Sequence, residues 1–428
     1  MMRDLDIILV GATGYTGLTC ASYISTRLPA SLRWGVAGRD RSKLEKLAET
    51  LAGVENASKP VLLPIDVKSK DDVDVLVKKT KVVISVVGPY AVAGSYIFEA
   101  CARNGTHYLD CNGEVPWLQD MIKQNEQAAK NSGSMMIPCC GFAVVPADLS
   151  TYLLAAHLRR SSVPLTTSLV CCHDFVGAPS GGTVLSALNT LSQYGIKRTL
   201  AACEPFALSP VKPGYLNQSE GSMSGPRDDF GDLLGKMSGF GVQNSEVLGT
   251  LITSPQDDVD RAVLTRSWGL LSTTEKAYSS DFYYSGSRVR YDSALAAWSG
   301  RASYISTILL AASPLRAAIR RYWYDAGEGP SEEERKKGLL EFRSIGVGKK
   351  AQGREDGDEK EVAMCKMSFA GDLYLFTALC LSEAAMVLLD GVTEAQKMGG
   401  GVWTCAFLGE DFAERLQAAG VKIETISI

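Results

Sequence analysis

The 428 residues carry a formal charge of −4, are 46% hydrophobic and 21% charged, and have a mean hydropathy of +0.01. That balance belongs to a folded chain with room for two or three domains, and it excludes a largely disordered one. Lys and Arg are scattered, which excludes a basic stripe for nucleic acid. The eleven cysteines, with no C-x-x-C among them, fit reduced thiols inside a cell.

The opening MMRDLDIILVG has only a strand's length of apolar residues before glycine interrupts it, so it is not expected to be a secretory signal. Ile7 to Val10 predicts a strand, and Gly11-Ala-Thr-Gly-Tyr-Thr-Gly17 a tight loop opening a helix that ends near Arg27. Strands are then predicted at 32–37, 61–65, 82–87, 107–110 and 135–138. Helices are predicted between them at 41–51, 71–78, 94–104 and 115–132. Regular alternation of this kind predicts a Rossmann-type, doubly wound parallel sheet over residues 1–146.

Beyond Pro146 the texture changes. A second α+β domain with a mixed, largely antiparallel sheet is expected over 147–395, and a closing helix and strand over 396–428, packing back on the first domain. A strand is predicted at 167–174, a helix at 181–194, and a hairpin from 342–347 and 362–369 whose turn spans 349–360. Helices follow at 372–389 and 404–419, and a strand at 421–426. Seven glycines stand from Gly214 to Gly241, and the region 205–262 is expected to be a Gly- and Ser-rich excursion. No uninterrupted apolar run reaches the roughly 18 residues of a membrane span. The nearest approach, Tyr304 to Pro314 followed by the basic and aromatic Leu315 to Tyr324, predicts either two helices broken at Pro314 or a segment lying in a membrane interface.

The first loop carries the clearest chemistry. Gly11 suits the tight turn, Gly14 the close approach of a pyrophosphate to backbone N–H groups, and Gly17 the packing of helix on strand. Thr13, Tyr15 and Thr16 complete the loop as cofactor-binding candidates. The second strand ends in Ala37-Gly-Arg39. An arginine where an acidic residue would hold a ribose 2′-hydroxyl suits a 2′-phosphate, so NADPH is expected over NADH, with Lys43 a turn further on as a second positive charge. The alternative is a solvated Arg39, with Asp40 doing the recognising.

Asp66 either meets the adenine side or caps the following helix. Val86, Val87, Gly88, Pro89 and Tyr90 end the fourth strand, where the nicotinamide half passes, and Tyr90 is the first candidate for proton donor or orienting hydroxyl; otherwise it packs on the ring. Asp110, Glu114, Cys139, Cys140 and His173 are further candidates. Glu114 reads foremost as a partner for the dipole of the helix after it, and His173 as a core residue. Ser180, Gly181 and Gly182 at a helix start either bind an anion or carbonyl oxygen or cap the helix. No Tyr is followed by Lys four residues on, and no G-x-S-x-G or H-E-x-x-H occurs. With only three histidines, neither a metal site nor a serine triad is expected.

Taken together, Gly11 to Gly17, Ala37-Gly-Arg39, Val87-Gly-Pro-Tyr90, Gly105 to Asp110, Gly113-Glu114, Cys140-Gly-Phe142 with Pro146-Ala-Asp148, and Ser180-Gly-Gly-Thr183 resemble the saccharopine dehydrogenase-like oxidoreductases. Gly327 to Ser331, Gly401 to Thr404 and Arg415 to Gly420 are similar to the branch containing trans-acting enoyl reductases. The resemblance runs from end to end. It implies an NADPH-dependent reductase with a second domain covering the nicotinamide, acting on an activated C=C bond of a small apolar or carrier-bound substrate supplied by a polyketide synthase. The family also implies two alternatives, a C=N (imine or saccharopine-type) reductase and a non-catalytic, lipid-associated NADPH-binding protein. A cytoplasmic location is expected, with lipid-droplet or peripheral membrane contact through 304–324. No cluster of arginines for substrate carboxylates is apparent in the sequence, which favours the apolar acceptor.

Overall fold

The computed structural model describes residues 3–55, 57–214, 229–235, 238, 241–300, 302, 327–349 and 360–428. The segment 304–324, the hairpin turn between Lys349 and Lys360, and much of the glycine-rich stretch lie outside the described residues.

The first half builds β1 (Leu5–Val10), α1 (Tyr15–Arg27), β2 (Trp34–Gly38), α2 (Arg41–Ala52), β3 (Val61–Pro64) and α3 (Lys70–Val77). It continues with β4 (Thr80–Ser85), α4 (Tyr90–Ala93), α5 (Ser95–Asn104), β5 (His107–Asp110), α6 (Val115–Ser132) and β6 (Met135–Ile137). After these come α7 (Val145–Arg160), β7 (Leu165–Val176), α8 (Gly181–Ala202), β8 (Gln243–Ser245), β9 (Gly249–Thr253), α9 (Asp257–Leu271), β10 (Tyr283–Tyr291) and α10 (Glu332–Lys336). The last elements are β11 (Leu339–Lys349), β12 (Lys360–Phe369), α11 (Leu373–Asp390), α12 (Glu394–Met398), β13 (Gly401–Val402), α13 (Gly409–Ala418) and β14 (Lys422–Ser427).

Seven strands in the order β13-β6-β5-β4-β1-β2-β3, all parallel, form the first sheet. The strand order reverses between β1 and β4, which opens a crevice at their carboxyl ends. Ile7 and Leu9 point into one core with α1, α2 and α11, and Ile8 and Val10 into the other with α3, α5 and α6. Burial on both faces is why this strand reads as an unbroken apolar run.

The second sheet, ordered β14-β12-β11-β7-β10-β9-β8, is antiparallel except for the β7–β10 pair. One face packs on α7, where Ser150 and Ser344 hydroxyls meet at 2.6 Å; part of the other is covered by Phe230, Leu234 and Leu248. Fold class and sheet composition follow the sequence reading.

Several expectations change. The excursion expected over 205–262 contains β8, β9 and the start of the fifteen-residue α9, and α7 and β10 also lie outside the predicted elements. The helix expected at 404–419 is a short 3-10 turn, Cys405–Leu408, followed by α13, broken where Gly409 takes φ +61°. Packing does not divide at residues 146 and 395. α11 covers the first sheet, Gly401–Val402 extends that sheet beside β6, and β14 joins the second sheet.

Among the described residues α11 is the one helix long and apolar enough to cross a membrane, yet it is mostly buried between α1 and α13. Its Glu383 accepts from Tyr23 Oη at 2.9 Å and from Arg415 Nε at 2.8 Å, fixing its rotation against α1.

Asp148, in the first turn of α7, ties three elements together. It accepts from Ala406 N at 2.8 Å and from Ser267 Oγ, whose oxygen lies 2.6 Å from Thr404 Oγ1. Burial pushes its carboxyl up to about 6, against the pull of these donors. A folded-state value above the unfolded one means that the contribution to stability is complete below pH about 4 and is lost as pH rises through about 6, a swing of about 3 kcal/mol. Asp148→Asn should therefore gain stability relative to wild type by up to that amount between pH 4 and 7 in denaturant titrations. Parallel stability curves for the two proteins would count against this account.

Candidate functional site

The glycine loop is built as a cradle. Gly11 takes φ +86°, and its N–H donates to Ala37 O at 3.0 Å. A Cβ on Gly17 would stand 2.1 Å from Gly11 O and 2.8 Å from Ala12 backbone atoms, so only glycine lets α1 start so close to β1. Gly14 is the N-cap of α1 with no side-chain cap, which leaves the first N–H groups of the helix open to an anion beside half-buried Thr13 and Thr16. Tyr15 faces the second half of the molecule. Its hydroxyl donates to Pro330 O at 2.6 Å, and its ring meets Tyr374 edge-on at 4.7 Å. Tyr15 thus anchors the 327–331 segment over the loop, a role the sequence does not reveal.

Arg39 is exposed at the end of β2 and makes no ion pair with a described residue. Asp40 is occupied as the N-cap of α2, accepting from Lys43 N at 3.1 Å, and Lys43 is exposed in that first turn. Asp66 is exposed and closes a turn by accepting from Lys68 N at 3.0 Å; the cap of α3 is Ser69. A loop held tight by glycine at position 17, an open helix terminus and a guanidinium with no ion pair among the described residues form a set that fits NADP(H).

At the end of β4, Val86 N donates to Val10 O at 3.0 Å, and Val87, Gly88 and Pro89 follow at the crevice. Tyr90 is turned inward. It is 4% exposed, its hydroxyl donates to Ser85 O at 3.1 Å and lies 3.4 Å from Cys111 Sγ, and its ring packs on Trp117. Burial raises its pKa well above the ordinary phenol value. Tyr90, expected as proton donor or orienting hydroxyl, is thus a buried side chain whose hydroxyl bonds within its own domain.

Glu114 does not serve its own helix. Its two carboxylate oxygens accept from Tyr90 N at 2.8 Å and Ala91 N at 2.9 Å, capping α4. Burial raises its pKa. Asp110 is fully buried, accepting from Tyr108 Oη and Asn112 and from Cys139 N at 2.8 Å; this fixes the ends of β5 and β6.

Cys139, at φ +59°, and Cys140 are buried thiols whose pKa burial raises, so neither is poised as an acid or nucleophile. Ser180 N–H donates to Tyr374 Oη, and Gly181 N–H to Glu328 O at 3.1 Å. These two donors tie the start of α8, with Gly182 beside them, to α11 and to the 327–331 segment, and Ser180 stands as the N-cap of α8 with no side-chain cap.

Beyond the end of β6, Phe142 stacks on the exposed Phe175 at 5.4 Å and meets the buried Phe342 edge-on. Strand register does bring arginines together on the second sheet: Arg288 and Arg343 both pair with Cys171, and Arg343 with Lys366. Sequence spacing could not show this. Arg343 and Arg290 are neutralised at home, 2.7 Å from Glu341 and 3.1 Å from Asp174, while Arg288 donates to the Ser285 and Ser287 carbonyls. His173, Asp174 and Glu341 offer three ligand-type atoms within 4.8 Å of one another, but the same cations already hold the carboxylates. Burial holds the imidazole of His173 below its usual range.

Residues 7–137 match the saccharopine dehydrogenase NADP binding domain. An alignment of 441 positions is 28% identical to a Mycobacterium tuberculosis protein whose name assigns it provisionally to the trans-acting enoyl reductases, covering 99% of this chain and 98% of that one. The trans-acting enoyl reductase of Mycobacterium leprae is 25% identical over 440 positions, with the same coverage. Apo saccharopine dehydrogenase (L-Glu forming) from Saccharomyces cerevisiae shares the fold at a TM-score of 0.53 and 11% identity, over 99% of this chain and 100% of that one. The chain is an NADP-dependent oxidoreductase whose residues 7–137 form a saccharopine dehydrogenase-type NADP-binding domain.

Proposed function

We propose that the chain reduces an activated carbon–carbon double bond in a small apolar or carrier-borne acyl substrate. NADPH, held by the cradle at Gly11 to Gly17 and by Arg39, supplies the hydride. The observation that carries the choice of acceptor is the aromatic pair Phe142 and Phe175, the latter exposed, on a sheet whose Arg290 and Arg343 are already ion-paired. A polycarboxylate substrate needs free cations there; an acyl chain needs apolar contact. End-to-end similarity to proteins named trans-acting enoyl reductases supports the same reading. In this reading a separate polyketide synthase presents the acyl chain, the 327–331 segment and α8 close the crevice against water, and the protein works in the cytoplasm.

Purified protein should oxidise NADPH with trans-2-decenoyl-N-acetylcysteamine thioester and leave it untouched with 2-methyl-1-pyrroline. Turnover of the cyclic imine alone would assign C=N chemistry, and tight NADPH binding without turnover of either would assign a non-catalytic role. Contact with lipid through 304–324 is a further part of the proposal. Its support is the helical stretch 294–300 just before it, which leaves Leu295 and Trp298 exposed. Co-flotation with phosphatidylcholine vesicles containing anionic lipid should be lost on deleting 304–324; absence of flotation in the full chain removes that contact.

A further inference from the structure

Tyr15 is the first residue of α1, directly after Gly14, an N-cap that brings no side-chain cap. Uncapped helix ends fray, and a pyrophosphate bound there gives the backbone N–H groups of the first turn a partner. Cofactor binding thereby fixes the turn from which the Tyr15 side chain projects.

That side chain is in contact with the second half of the chain. Its hydroxyl donates to Pro330 O at 2.6 Å, and Gly329 lies against its ring: a Cβ on Gly329 would stand 2.7 Å from Tyr15 Cζ and 3.0 Å from Ser180 Cβ. Gly329 is therefore wedged between the cofactor loop and the start of α8, where even a methyl group would push the two apart. Glu328 O takes the Gly181 N–H at 3.1 Å, and Tyr374, edge-on to Tyr15 at 4.7 Å, takes the Ser180 N–H. The segment then runs into α10, whose Arg335 donates to Thr19 Oγ1 of α1 at 3.2 Å and pairs with Asp372, the N-cap of α11. From its start at Ser180, α8 passes over the end of β4, where Ser186 Oγ lies 3.3 Å from where a Cβ on Gly88 would be. One unbroken series of contacts thus leads from the phosphate loop, through Tyr15 and the 327–331 segment, to the helix over the nicotinamide end of the crevice.

We infer that Tyr15 is a positioning residue through which NADPH, by ordering the first turn of α1, seats the 327–331 segment and the start of α8. The seated segment in turn tightens NADPH, and the two effects are equal in size because coupling between two binding events is reciprocal. An acceptor then meets a site closed to water only once the reductant is in place. The inference rests on the proposed reading only in placing NADPH at the loop, and it holds whichever double bond is reduced.

The test uses the full-length protein and NADPH alone, with hydrogen–deuterium exchange and fluorescence titration as readouts. In wild type, saturating NADPH should slow exchange of the Gly181 amide and of residues 327–338 about 10-fold. Gly329→Ala, which changes no residue of the loop, should weaken NADPH by the same factor of about 10 and lose that slowing, while exchange across residues 11–18 is still slowed. Tyr15→Phe keeps the ring and loses one hydrogen bond, so NADPH should weaken only about 3-fold, with the slowing reduced to match. NADPH that leaves exchange at 327–338 unchanged in wild type overturns the inference. So does slowing at Gly181 that persists in Gly329→Ala, since that would be direct shielding by the cofactor, or wild-type NADPH affinity in that variant. Should Gly329→Ala fail to fold, Tyr15→Phe decides: unchanged affinity and unchanged slowing overturn the coupling. A wild type that reduces neither thioester nor imine fails the reductase reading alone, because no acceptor enters this experiment.

Discussion

Gly17→Ala should lower thermal stability and abolish NADPH binding together, whereas Gly14→Ala should remove the cofactor and leave the fold intact. The difference lies in what each added methyl meets. At Gly17 the new Cβ would stand 2.1 Å from Gly11 O and 2.8 Å from Ala12 Cα and C, all backbone atoms with no rotamer to yield. The helix must slide away from β1, and the loop that donates from Gly11 to Ala37 O must open. Overpacking of this kind costs about 1–3 kcal/mol, and the melting temperature should fall by roughly 1–4 °C. At Gly14 the nearest atom is Gly11 O at 3.4 Å, an ordinary contact, so the methyl is tolerated until a pyrophosphate tries to occupy the same space. Thermal melts and NADPH fluorescence titrations of both variants test this. Equal melting temperatures for the two variants would show that the close approach at Gly17 is not what fixes the loop.

The parts of the fold that were legible in the sequence are those whose burial leaves a periodic trace. α6 is amphipathic, starts at a Val-Pro pair and stops at a left-handed Gly133, so its limits coincide with the prediction. α7 and α9 are buried on nearly all sides, with Asp148, Ser150, Thr265 and Arg266 inside, so no polar stripe marks them as helices. The two residues of β13 are too short to signal anything, yet they extend the first sheet.

The cofactor cradle was legible because it is local: seven consecutive residues and one arginine suffice. The surroundings of Tyr90 were not, because they depend on where distant segments meet. Tyr90 points inward because Glu114 caps its helix and Ser85 and Cys111 take its hydroxyl, and Ser186 reaches Gly88 from a helix that sequence marks only by its glycine entry. The arginines of β10 and β11 come together only through register with β7, which lies more than a hundred residues before either of them in the chain.

Arg39→Ala should weaken NADPH about 10- to 100-fold while leaving NADH nearly unaffected, the size expected for losing charge-assisted hydrogen bonds to a phosphate of about 1.5–3 kcal/mol. The side chain is exposed and makes no ion pair with a described residue, so the variant leaves no buried partner stranded and should fold normally. Asp40 cannot substitute as the discriminating residue. Its carboxylate is held by Lys43 N as the cap of α2, and a negative charge there repels a 2′-phosphate. Lys43 stands in the same turn as a mobile point charge and not a planar fork, so Lys43→Ala should cost less, and its effect should shrink faster with added salt. Isothermal titration of both dinucleotides against wild type and the two variants resolves the roles. Equal weakening of NADPH and NADH by Arg39→Ala would place the guanidinium on the shared part of the cofactor and return the choice of phosphate to the residues around Lys43.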